Sequence, residues 1–263
     1  EETAGFFYKR LEAGNPISGE IEFYDRAISA FDSIYNNDMR VNAIYVDYNF
    51  KAGNYGAASV KLKAMQDRYE KDYRIGEQLL FAENMLGRFD SLIVYGEKEI
   101  EKFGDRPMAY LYTGIGYLQG KNYEKAAKVL ERGIKYVENN ELMLQFYIFS
   151  AEAYNGLTER KKAFECYEKA LGIDPANILI MNNYAYFLAV EGMKLEQAEK
   201  LSRETIKAES KNPIYLDTYA WICYKMNRIG KAGKYIKKAV QYGGGSDKEI
   251  KEHYEIITGR KRD

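Results

Sequence analysis

The chain has 263 residues, and its 39 basic and 39 acidic side chains cancel, so no global charge points to nucleic acid or an anionic membrane. A single histidine, His253, excludes a multi-histidine metal site, and the two cysteines, Cys166 and Cys223, have no CxxC spacing. Four prolines and few β-branched clusters favour helices, and no apolar run approaches the roughly 20 residues that span a bilayer. The two thiols are expected to be buried small hydrophobes rather than a disulfide. The chain starts at Glu1 without a signal peptide, so a processed product or a cut-down chain is expected.

In chain order, residues 1–19, with "AGNPISG", read as irregular, with a loop at Asn15-Pro16. "FYDRAISAFDSIYNND" then carries an anchor alanine, Ala27, with Tyr24 three residues before it. That spacing returns six times. "NYGAASVKLKAM", "RFDSLIVYGEKEI", "NYEKAAKVLERGI", "ERKKAFECYEKAL", "KLEQAEKLSRETI" and "RIGKAGKYIKKAV" align on Ala58, Leu92, Ala126, Ala163, Ala198 and Ala232. The first three anchors are 34 residues apart, as are the last two. The middle gaps of 37 and 35 require three extra residues near 141–143 and one near 192–195. Three residues before each anchor stands Tyr55, Phe89, Tyr123, Arg160, Leu195 or Ile229. Twelve or thirteen before it stands Val46, Leu80, Gly114, Ala151, Ala185 or Ala220, where a small side chain lets two helices approach closely. Tyr123, Ala126, Ala127, Leu130 and Ile134 share one helical stripe, and such a helix pair buries its apolar face only when neighbours stack on it.

The third unit contains "GIGYLQGKNY", residues 114–123, which looks like a phosphate-binding loop. A Walker A loop needs Gly, four residues, then Gly-Lys-Ser/Thr. Here Gly114 is one residue too far from Gly120, and Asn122 replaces the hydroxyl. The dinucleotide GxGxxG also fails by one residue. The glycines read as packing at Gly114 and a turn at Gly120, and no cofactor is expected.

The fourth unit, "AFECYEKALGIDPAN", completes a pattern that resembles the tetratricopeptide repeat (TPR) family, with Ala163, Tyr167, Ala170 and Pro175 at its characteristic positions. The resemblance covers roughly residues 20–246. Pro175 is the only proline at its position, and the second unit departs from the pattern with Leu92, Gly96 and Glu99. "NNYAYFLAVEGMKLEQAEK" followed by "NPIYLDTYAWICYK" looks like TPR proteins of the bacterial cell envelope, with the cytoplasm as the alternative compartment. The last segment, "SDKEIKEHYEIITGRKRD", reads as a capping helix from Ser246 or Asp247 to Gly259, after a hinge at "GGG". Its apolar face is expected to be Ile250, Tyr254 and Ile257, with His253 off the stripe and solvated.

The resemblance implies an all-α, right-handed superhelical solenoid of helix-turn-helix repeats over 39–72, 73–106, 107–140, 144–177, 178–212 and 213–246. Residues 1–38 form an N-terminal segment and partial repeat, and residues 247–263 a capping helix with a basic tail. It also implies a concave groove lined by the first helices. Carried over by position, the groove residues are Arg40, Asp47, Phe50 and Lys51; Arg74, Glu77, Phe81 and Asn84; and Leu111, Ile115 and Leu118. They continue with Gln145, Glu152 and Asn155; Asn182 and Tyr186; and Asp217, Trp221, Tyr224 and Lys225. The Lys-and-Asn pair of chaperone-binding TPRs occurs in no repeat. Asn182 and Asn183 suit either a peptide backbone or a helix start, and Trp221 and Tyr224 either a ligand or the next repeat. The expected role is a protein- or peptide-binding adaptor or assembly scaffold without catalysis. The alternatives are a self-associating spacer, suggested by five acids against Arg26 in residues 20–38, and RNA contact through a basic final repeat. That repeat carries Lys225, Arg228, Lys231, Lys234, Lys237 and Lys238, with Lys231, Lys234 and Lys238 expected on a solvated stripe. Nucleic acid is disfavoured, because aromatics are not expected among those lysines.

Overall fold

The computed structural model describes residues 18–35 and 37–259. Among them are fourteen α-helices, two short 3-10 turns and no strand, an all-α fold. The loop expected at Asn15-Pro16 and the basic tail after Gly259 lie outside the described residues. The chain divides into two compact units, Glu1–Tyr136 and Val137–Asp263. Unit 1 contains α1 (Ser18–Ile34) and three helix pairs: α2 (Met39–Lys51) with α3 (Tyr55–Arg68), α4 (Tyr73–Met85) with α5 (Phe89–Lys102), and α6 (Pro107–Gln119) with α7 (Tyr123–Gly133). Unit 2 contains α8 (Asn140–Gly156) with α9 (Arg160–Ile173), α10 (Ile178–Val190) with α11 (Leu195–Ala208), α12 (Pro213–Lys225) with α13 (Ile229–Gln241), and a last helix α14 (Lys248–Thr258).

The helix starts follow the residue pattern. Each second helix begins three residues before its anchor, at Tyr55, Phe89, Tyr123, Arg160, Leu195 or Ile229, and all six anchors are 0% exposed. The facing positions on the first helices are buried as well. At Gly114 a Cβ would stand 2.6 Å from Leu130 Cδ2, so the Leu130 side chain of α7 occupies the space that a side chain on α6 would need. Within each pair the joining turn has a left-handed residue: Gly53, Gly87, Lys121, Thr158, Gly192 or Asn227. The α10–α11 turn is one residue longer than the others, with Lys194 also left-handed, and takes up the extra residue near 192–195.

The three extra residues near 141–143 lengthen no loop. They are wound into α8, which has 17 residues where α2 has 13, capped by the Asn139 side chain accepting from the Leu142 amide at 2.8 Å. "GIGYLQGKNY" is the end of α6, a turn and the start of α7, so its first amides are committed to helix hydrogen bonds and do not face a phosphate. Lys121, not Gly120, holds the left-handed conformation of that turn.

Two of the departures in the second unit are matched by their neighbours. Gly76 leaves room for the buried Glu99 side chain, which accepts from Gln66 Nε2 at 2.7 Å, and Gly96 leaves room for the Thr113 hydroxyl. Thr113 in turn donates to the Ala109 carbonyl at 2.7 Å. In unit 2, α14 adds Ile250 and Ile257 to a core of Leu216, Tyr219, Ala220, Cys223, Ala232, Ile236 and Ala239. Cys166 and Cys223 are buried and unbridged. No described helix is long and apolar enough to cross a membrane.

Candidate functional site

The first helices carry the expected ligand positions, and unit 1 sorts them into three kinds. Arg40 and Arg74 belong to helix caps. Asp38 accepts from the Arg40 amide at 2.8 Å and pairs with its guanidinium at 3.1 Å. Asp72 does the same for Arg74, at 3.1 and 2.6 Å. The hydrogen bonds from these arginines hold both aspartates below the usual carboxylate range. Leu111 and Leu118 are core residues, with Ile115 half-buried between them. A half-buried surface remains. Phe81 meets Phe50 edge-on at 5.3 Å and Tyr55 at 5.9 Å, beside Asn84, Glu77 and the Asp47–Lys51 pair at 3.2 Å. Tyr112, which the carried-over positions passed over, is half-buried on α6, and burial, with the Glu77 charge adding to it, pushes its hydroxyl up.

In unit 2, Gln145 and Glu152 are exposed. Asn155 is buried, donating to the Tyr167 hydroxyl at 2.8 Å and accepting from Arg160 at 3.1 Å. Asn182 is buried, and its Oδ1 has no hydrogen-bond partner among the described residues. Tyr186 donates to Glu249 of α14.

His253 corrects the expectation of a solvated side chain. It is 6% exposed, and its Nδ1 lies 2.9 and 3.0 Å from the two carboxylate oxygens of Asp217. A carboxylate only accepts, so Nδ1 carries the proton. Burial pushes the Asp217 carboxyl up, and the His253 hydrogen bond opposes that shift. The imidazole stacks on Trp221 at 4.0 Å and 13°, Trp221 stacks on Tyr224 at 5.3 Å, and Lys225 lies over the indole at 5.1 Å. Asp217 and one face of Trp221 are therefore covered by the chain's own last helix, while Tyr224 is half-buried and Lys225 exposed. The signal was present: Ile250, His253 and Ile257 fall at i, i+3 and i+7 of one stripe.

The basic face differs from its expected form too. Only Lys234 of the three stripe lysines is exposed. Lys231 lies over the Tyr219 ring at 4.9 Å and Lys238 over Tyr235 at 5.5 Å, so aromatics do stand among these lysines. Arg203, Arg228 and Lys231 converge on one buried carboxylate, Glu199, at 2.8, 2.8 and 3.2 Å. Burial pushes Glu199 up, but these three bonds outweigh it and hold the carboxyl down at about 2.

Residues 144–177 match the family model described as Tetratricopeptide repeat. The TPR repeat-containing protein PA4667 of Pseudomonas aeruginosa is 24% identical over 132 residues, 50% of this chain and 22% of that protein. The type IV pilus assembly protein PilF of the same bacterium is 27% identical over 136 residues, 51% of this chain and 52% of that one. The matches thus span about a fifth and about half of these relatives' own lengths. The solved structure of PilF gives a TM-score of 0.67 at 14% identity, covering 89% of this chain and 98% of that one. A tetratricopeptide repeat protein from Parabacteroides merdae gives 0.63 at 14% identity, covering 98% and 96%. Both are likenesses of fold.

Proposed function

We propose, from the premise that this chain is a tetratricopeptide repeat protein, that it is an interaction scaffold without catalysis of its own, holding a segment of a partner protein against its first-helix faces. The repeat fold and the relatives support a protein-interaction role in general. Half-buried aromatic side chains carry the finer reading: Phe50, Phe81 and Tyr112 in unit 1, and Tyr186, Trp221 and Tyr224 in unit 2. Rings at an accessible surface bury much area on binding with few rotors to freeze. The Asp217–His253 pair supports a structural role, since among the described residues no serine, threonine or cysteine is bonded to the imidazole. The six repeat windows set out above and a place at the bacterial cell envelope belong to the same reading, the latter resting on the pilus assembly role in PilF's name.

Affinity capture from the native organism with parent, Phe81→Ala, Tyr224→Ala and Lys234→Ala proteins tests it, once each variant is shown to melt like the parent. The partner's affinity is expected to fall by about 2 kcal/mol for at least one ring variant and little for Lys234→Ala. Strong loss with Lys234→Ala and none with either ring variant would move the site to the second-helix face.

A further inference from the structure

The first-helix face of unit 1 holds a carboxylate that its own chain leaves unused. Glu77 is half-buried on α4, one turn before Phe81, and makes no hydrogen bond or ion pair among the described residues. The other buried or half-buried acids of unit 1 are all bonded. Asp32 pairs with Lys61, Asp38 with Arg40, Asp47 with Lys51 and Asp72 with Arg74. Glu83 is held by Ser59 and Lys63, and Glu99 by Gln66. Glu77 alone is left over.

Its surroundings do not replace the missing partner. Burial pushes its carboxyl above the usual range, the Arg106 charge opposes that, and Glu99 adds to it. Arg106 stands beyond ion-pair distance of Glu77, its guanidinium stacked 3.9 Å from the Tyr73 ring centre and 3.5 Å from Asp105. Phe81 stands one turn along α4 from Glu77, edge-on to Phe50 and Tyr55, and the half-buried Tyr112 on α6 lies within reach of the Glu77 charge. An anionic acceptor with aromatic rings nearby suits a cation on a long aliphatic stem, which gains a charge-assisted bond and ring contacts together.

We propose that this face of unit 1 takes an arginine or lysine side chain of an extended, basic partner segment, its charge on Glu77 and its stem along Phe81 and Tyr112. The proposal rests on the scaffold reading above and adds the chemistry of the partner. It runs opposite to recognition of an acidic tail.

Selection from a random peptide library on the immobilised full chain tests it, with Glu77→Gln, Glu77→Lys and Phe81→Ala proteins that melt like the parent. The parent is expected to enrich arginine and lysine, Glu77→Gln to lose that enrichment, and Glu77→Lys to enrich aspartate and glutamate. A selected basic peptide, titrated by fluorescence anisotropy, is expected to bind Glu77→Gln about tenfold more weakly, the scale of one lost charge-assisted bond. Peptides that need Phe81 but are selected alike by parent and Glu77→Gln would overturn the basic partner and leave the scaffold reading standing. No enrichment over background by any of the four proteins would overturn both for this face.

Discussion

Lys121, Thr158 and Asn227 hold left-handed backbone, at φ of 56°, 60° and 59°, in turns where other pairs use glycine. Asparagine tolerates that region, but a β-branched residue is strained in it. The Thr158 hydroxyl recovers only a local bond to the Leu157 carbonyl, at 2.6 Å. Thr158→Gly is therefore expected to raise stability by about 1 kcal/mol, read as a higher urea midpoint, despite glycine's greater freedom when unfolded. A lower midpoint would show that the freedom outweighs the strain. Glu199 makes the complementary case for charge. Its carboxyl sits at about 2 in the fold against an ordinary 4.5, so its contribution is complete above pH 4.5 and fades as pH falls through about 2. Glu199→Gln is expected to lose about 1–2 kcal/mol at neutral pH, and its gap from the parent should narrow through that acid window. A gap that stays constant would mean that shape, not charge, holds the cluster. Single residues were also where the sequence was hardest to read. The positions of Arg40 and Arg74 were legible, but their use as cap partners depends on Asp38 and Asp72, two residues upstream of each.

A helix pair is the level at which the sequence spoke most clearly. Anchors Ala58 to Ala232 located every second helix because a close contact tolerates only a narrow range of side-chain volumes. Ala126→Leu and Ala198→Leu are expected to destabilise by about 1–3 kcal/mol each, since neither buried site has room for added methylenes. Unchanged thermal midpoints for both would put the helix contact elsewhere. Two elements escaped the pattern for physical reasons. Extra residues near 141–143 give the same anchor spacing whether they loop out or extend a helix, and the Asn139 cap decided for α8. On α14 a histidine counts as polar until a buried carboxylate meets it, and that carboxylate, Asp217, lies 36 residues away. The candidate surface was legible in the same limited way: position marked Glu77 and Phe81, but not that Glu77 would be left unbonded.

At the scale of the whole molecule, stability is spread unevenly. α1 leaves Phe31 and Ile34 exposed, Tyr35 just after it is exposed too, and α1 has no buried side chain among residues 26–34. α12 and α13 share a core closed by Ile250 and Ile257 of α14. Native-state hydrogen exchange is expected to release the α1 amides first and those of α12 and α13 last. Equal protection in α1 and α12 would show that exposure does not govern opening here. The two arginine caps carry a different consequence. Asp38–Arg40 and Asp72–Arg74 are one joint made twice, 34 residues apart. Recombination that deletes the 34 codons between them leaves one intact joint, and recombination that copies them makes a third, in either case with the reading frame undisturbed. A change in length by one whole 34-residue module is therefore expected to be tolerated here better than a change of any other length.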